Sequence, residues 1–240
     1  VRWVKPNRKG AAMRISDRLA AKQTFSFEIF PPKKDTELSN IDATLEVLSE
    51  LEPDFISVTF GAGGSSNCNR TIELAKKIKY EYKIEPVVHL TCLHYDRNEI
   101  DEFAKVLKDE GIENILALRG DLPEGFDRSE AHYSHASELV REIADFGGFC
   151  IGGACYPEIH PESRDRQEDI FYLKKKVDAG CDFLTTQMFF DNNILYNFLY
   201  KAREAGITVP VVPGIMPITT KEQLERAISI SGSHIPERFK

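Results

Sequence analysis

The sequence predicts a (β/α)8 barrel, and three observations carry that expectation. Short apolar or β-branched runs begin about every 30 residues, the length of one β-α unit. Amphipathic helical patterns lie between them. Polar residues (Glu28, Thr59, Asp121, Tyr156 and Gln187) stand at the carboxyl ends of successive runs, where such a barrel gathers its site.

Taken in order, residues 1–20 read as a basic leader outside the core. Arg2, Lys5, Arg8, Lys9, Arg14 and Arg18 face a single acid, Asp17, and no long apolar stretch marks a secretory signal. Residues 21–240 read as one barrel domain. Strands are expected over 24–30, 55–60, 86–91, 114–118, 150–156, 183–189 and 209–215. The first helical face is marked by Ile41, Leu45, Val47, Leu48 and Leu51, the next by Ile72, Leu74, Ala75 and Ile78. Ile100, Phe103, Val106 and Leu107 follow, and later Leu173, Val177 and Ala179. Helix tails ending at Gly111, Gly180 and Gly206 fit helices that return to parallel strands. Residues 224–240 read as helix and then loop. The eighth strand is therefore expected to be missing and the domain to be C-terminally incomplete, since closure needs that strand to cover two edges.

A doubly wound sheet is the rival architecture, and it wants GxGxxG after the first strand. The chain has Glu28-Ile29-Phe30-Pro31-Pro32 there instead. The glycine-rich segment 61–66 after the second run lacks the third glycine; it is either an anion cradle or a tight turn.

Composition narrows the function. A chain with 42% hydrophobic and 29% charged residues is globular, and a net charge of −7 argues against a general nucleic-acid binder. No apolar run is long enough to span a membrane. The five cysteines form no CxxC pair, which reads as reduced thiols in a cytoplasmic enzyme.

Candidate chemistry starts at Glu28. Alternation along the strand turns Phe25, Phe27 and Ile29 toward covering helices and Ser26, Glu28 and Phe30 into the barrel. A carboxyl there loses water, so its pKa rises toward the range of a general acid. Arg119 and Asp121 flank Gly120 with the same parity, which suits either a ligand site or a structural ion pair. His89, Cys92 and His94, like Glu158 and His160, lack zinc-site spacing, so no metal is expected. Asp169, Tyr172 and Lys176 share one helical stripe that ordinarily faces solvent.

The segments Phe27–Pro32, Ser57–Ala62, His89–Cys92, Leu118–Pro123, Tyr156–Pro161, Lys176–Gly180, Thr186–Asp191 and Val212–Pro217 run in an order that closely resembles the methylenetetrahydrofolate reductase family. The resemblance implies an FAD-dependent (β/α)8 barrel that reduces 5,10-methylenetetrahydrofolate to 5-methyltetrahydrofolate with NADH or NADPH. It implies that Glu28 protonates the folate nitrogen and that Asp121 stabilises the iminium cation and tunes the flavin. Gln187 and Gln223 match substrate-contacting positions. Thr59, His89, Arg119, Gly120, Asp121, His135, Ala136, Tyr156, His160, Asp169 and Lys176 fall where the family holds FAD. His135 stands where relatives commonly carry Tyr, and Tyr172 where Asn is frequent. A homo-oligomer is expected, or a partner subunit as in some relatives. Two other readings of the residues stay open: a flavin-free barrel lyase using Glu28 as base, and a fragment that binds folate or a partner without turnover.

Overall fold

The computed structural model describes residues 13–31, 41–60, 65–121, 131–231 and 234–237. Seven strands pair in parallel and in chain order: β1 (Ser26–Ile29), β2 (Phe55–Val58), β3 (Glu85–Thr91), β4 (Asn114–Leu118), β5 (Cys150–Cys155), β6 (Phe183–Thr186) and β7 (Val211–Val212). Each expected run holds one of them, β3 beginning one residue earlier than expected. The helices are α1 (Ile15–Ala21), α2 (Asp42–Glu50), α3 (Ser65–Tyr80), α4 (Arg97–Asp109), α5 (Ala136–Phe146), α6 (Arg166–Asp178), α7 (Asn192–Glu204) and α8 (Lys221–Ser231). After β1 each strand is followed by one helix, so the unit is β-α throughout and the architecture is that of a (β/α)8 barrel. Among the described residues no strand follows β7, as the seven runs predict.

Local chemistry sets the helix ends. Asp96 and Glu99 form a reciprocal capping box at α4, each carboxylate 2.9 Å from the other residue's backbone N–H. Asp165 caps α6 by accepting from Glu168 N–H at 2.8 Å. Gly111 ends α4 at a φ of 65°, a left-handed turn that glycine makes without strain.

The ladders fix which residues face inward. Ser26 pairs with Phe55, Phe55 with Glu85, Leu116 with Gly152 and Gly152 with Phe183. Ile29, Ile56 and Val58 consequently pack outward against Leu45 of α2 and Leu74 and Ile78 of α3, with Phe27 beside them. Phe55, Val87, Leu116, Cys150 and Phe183 face the opposite way and close into one buried cluster. Gly152 makes room there: a Cβ on it would sit 2.5 Å from Phe183 Cζ and 2.9 Å from Leu116 Cδ1.

Three expectations are corrected. Residues 1–20 do not all lie outside the core, because α1 inserts into that inward cluster. Ile15 is fully buried there, its N–H donates to Asn114 Oδ1 at 2.9 Å, and Arg14 donates to the Phe149 carbonyl at 2.7 Å. Arg18 and Lys22 pair with Asp54, which ends the loop into β2. The helix thus forms a floor at the amino ends of the strands. Val47, Leu51 and Val106 are exposed, because the sheet meets only the stripe through Leu45 on α2 and through Ile100, Ala104 and Leu107 on α4. The Asp169–Lys176 stripe is not a solvated face either: Asp169 is buried and Lys176 is partly so, while Tyr172 points out. The glycine-rich segment's residues 61–64 lie outside the described residues.

Candidate active site

At the carboxyl ends of β1–β3, three inward side chains converge. Glu28 and Ser57 are register partners, and Ser57 Oγ donates to Glu28 Oε2 at 3.5 Å. His89, two residues beyond the apolar floor position Val87, brings Nε2 to 3.5 Å from the same oxygen. Burial holds the imidazole down to about 4, so at neutral pH it is uncharged and the contact is not an ion pair. Its Nε2 is buried without a hydrogen-bond partner. Desolvation pushes the Glu28 carboxyl above its ordinary value, against the smaller opposing pull of the Ser57 hydroxyl. The side chain is still 48% exposed, so the carboxyl is open to solvent. Thr59 completes this side: it is buried, and its carbonyl accepts from Thr71 Oγ1.

A second group forms where β4 and β5 end. Gly120 turns the chain at a φ of 95°, and a Cβ on it would sit 3.2 Å from Thr91 Cβ. Arg119 reaches the β5–α6 loop and grips Glu162 with both ends of its fork, Nη1 to Oε2 at 2.9 Å and Nη2 to Oε1 at 2.8 Å. The same loop folds on His160, whose Nδ1 accepts from Glu162 N–H at 3.1 Å, placing the proton of the neutral ring on Nε2. Burial lowers the His160 pKa. Asp169 then ties the loop to α6, its Oδ1 accepting from His160 N–H and Ser163 Oγ, and burial raises its pKa. Tyr156 lies edge-on to His160 at 4.6 Å. Lys176 directs its ammonium to the Ala154 carbonyl at 2.8 Å, in surroundings dry enough to lower its pKa.

The remaining predicted residues frame these two groups. His135 and Ala136 begin α5, linked to β4 through Cys92, whose thiol lies near the carbonyls of both Arg119 and His135. Asp121 is exposed directly after Gly120, and Arg119 pairs with Glu162 in preference to it. Gln187 follows β6 with the inward parity of Phe183, its N–H donating to the Cys155 carbonyl. Gln223 stands apart on α8, where its amide oxygen accepts from Thr219 and Thr220 at the helix start.

Comparison with known proteins identifies the family. The family model for methylenetetrahydrofolate reductase matches residues 14–240. The chain belongs to that family. A 5,10-methylenetetrahydrofolate reductase of Salmonella typhimurium is 38% identical over 211 residues, covering 88% of this chain and 70% of the relative. The methylenetetrahydrofolate reductase (NADH) 1 of Arabidopsis thaliana is 36% identical and covers 93% of this chain, which spans only 41% of that plant protein. In fold, the chain resembles an uncharacterised protein from Clostridium thermocellum that binds two copies of 5-methyl-5,6,7,8-tetrahydrofolic acid (TM-score 0.62, 15% identity, 92% of this chain and 76% of that one). A 2,3-dimethylmalate lyase shares the architecture at a TM-score of 0.55 and 9% identity, covering 91% and 93% of the two chains. No helix among the described residues is long and apolar enough to cross a membrane.

Two residues in the site escaped sequence reading. Ser57 carries a usable signal, the inward parity of the strand next to Glu28. Glu162 carries none, since a loop carboxylate 43 positions from Arg119 becomes its partner only when β4 and β5 lie side by side.

Proposed function

We propose that the chain reduces 5,10-methylenetetrahydrofolate to 5-methyltetrahydrofolate with NADH or NADPH as donor, holding FAD at the carboxyl rim of β2–β5. Family membership supports the reaction. The observation that carries the role of this chain's own residues is the Glu28 carboxyl, inward-facing, raised in pKa and open to a ligand. The rim also suits a flavin, since His89 presents a buried nitrogen still lacking a partner.

FAD held there supplies the hydride relay between nicotinamide and folate. Thr59, His89, Arg119, Gly120, His135, Ala136, Tyr156, His160, Asp169 and Lys176 are the residues to hold it. Glu28, whose carboxyl burial pushes above its ordinary value, gives its proton to the folate nitrogen that leaves the bridging carbon. A neutral amine departs far more readily than an anion, and the remaining nitrogen's lone pair makes the iminium. Asp121, a carboxylate at the rim, stabilises that cation, and hydride addition completes the methyl group. Gln187 positions the pterin. The plant relatives are named for NADH, which makes it the donor to try first.

The colour of the purified protein tests the reading. A yellow protein, or one that turns yellow on adding FAD, and that bleaches under NADH or NADPH is expected. A colourless protein that takes up no FAD overturns it.

A further inference from the structure

Glu162 stands outside every role proposed above, yet it makes a two-pronged ion pair with a residue of the site. Both its oxygens are held by both terminal nitrogens of Arg119, and Arg119 Nε turns toward the Gly120 carbonyl at 3.5 Å. An arginine binds a phosphate through that same two-pronged edge. Here the edge is taken by a carboxylate, and the local charge is already balanced. A phosphate placed on Arg119 would have to displace Glu162 or sit against its negative charge. Among the described residues, no ring is seated over the flat faces of the guanidinium and the outer hydrogen on each Nη makes no further hydrogen bond. Those suit a planar ring or a neutral hydroxyl.

The bracing is continuous. Glu162 N–H is held by His160 Nδ1, the His160 backbone N–H by Asp169 Oδ1, and Asp169 is buried on α6. Arg119 is thereby fixed from the helix side before any ligand arrives, which lowers the ordering cost of binding.

We propose that Glu162 is a positioning residue that fixes Arg119 as a contact for the uncharged part of the flavin, its ring or ribityl chain, and not for its phosphates. The inference rests on the FAD reading above.

Titration of apoprotein with riboflavin, FMN and FAD, followed by flavin fluorescence, tests it. Glu162→Gln keeps the shape and removes the charge, and it is expected to weaken all three ligands by a similar factor, on the order of tenfold. Glu162→Asp should recover part of the loss. In an Arg119→Met background Glu162→Gln should add nothing further, because its effect passes through Arg119. A general loosening of the loop would instead add to the Arg119→Met loss, and that outcome overturns the proposal. So does a Glu162→Gln protein that binds FAD and FMN more tightly while riboflavin is unchanged, since it shows Arg119 freed for phosphate. Wild-type apoprotein that binds none of the three rejects the flavin reading itself, and the proposal with it. Thermal unfolding of each apoprotein confirms that the variants compared are folded.

Discussion

The two ends of the same strands are built from the same inward-facing positions and do opposite things. At the amino end Phe55, Val87, Cys150 and Phe183 meet Ile15 of α1 in a dry layer. Two residues further along, the positions on β2, β3 and β6 become Ser57, His89 and Thr185, and Glu28 joins them from β1. Nothing in the backbone changes between the layers, since strand parity is unbroken. The difference lies in side-chain chemistry alone. The floor is apolar and full, so its residues act through packing. The rim has small and polar residues, an unpartnered imidazole nitrogen and an open carboxyl, so its residues can act on a ligand.

If that division holds, variants at the rim change rates and variants at the floor change stability. The largest effect is expected from Glu28→Gln, which keeps the shape but has no proton to give. Folate reduction by reduced flavin should slow by roughly 10²–10⁴-fold, while flavin reduction by the nicotinamide changes little. Stopped-flow absorbance of the two half-reactions, measured separately, checks this. Equal slowing of both would make Glu28 a flavin-site residue and not the acid.

Ile15→Ala is the counterpart at the floor. Removing a fully buried side chain from a closed layer should cost roughly 2–5 kcal/mol. Denaturant unfolding measures the loss. The half-reaction rates of protein that remains folded should match wild type, and a slowed rate would show that floor and rim are not separable.

His89 sits at the boundary and sharpens the contrast. Its folded pKa of about 4 lies below the ordinary 6.5, so between these values the unfolded chain binds the extra proton. Stability should therefore be full above pH 6.5 and fall as the pH drops toward 4, by up to ~3 kcal/mol. Unfolding free energies across that range should lose this component in His89→Gln. A wild-type profile flat from pH 6.5 to 4.5 would show that the imidazole is not held neutral.

The smallest effect is expected at Lys176. Lys176→Ala should weaken FAD binding by about tenfold while leaving the chemistry of bound flavin nearly unchanged, as befits a residue remote from the reacting ring. Titration of apoprotein with FAD decides it, and an unchanged dissociation constant removes Lys176 from the site.

The sequence and the structure part company at identifiable places. Strands were legible because β-branched and apolar runs have few other uses, and the inward direction of Glu28 followed from parity alone. The floor was not legible: α1 is a seven-residue helix with one fully buried apolar side chain, Ile15, too little for a periodic signal. Val47, Leu51 and Val106 fit the helical pattern yet face solvent, because pattern marks a wide stripe and the sheet covers only part of it. Asp169 and Lys176 looked like surface charges. They turn inward because the β5–α6 loop and the Ala154 carbonyl offer them partners that no local window reveals.

The floor also bears on the order in which the chain can assemble. Ile15 docks on Asn114, and Arg14 and Ser16 reach Phe149 and Cys150, contacts 99 to 135 positions apart. None of these can form until β4 and β5 exist as neighbours. During synthesis α1 emerges well before β4 and β5 and waits for them, closing a long loop only after that part of the sheet has been laid down. A segment made before the strands it contacts is thus placed after them, and the barrel's apolar bottom stays open to water, and to other chains, until it arrives.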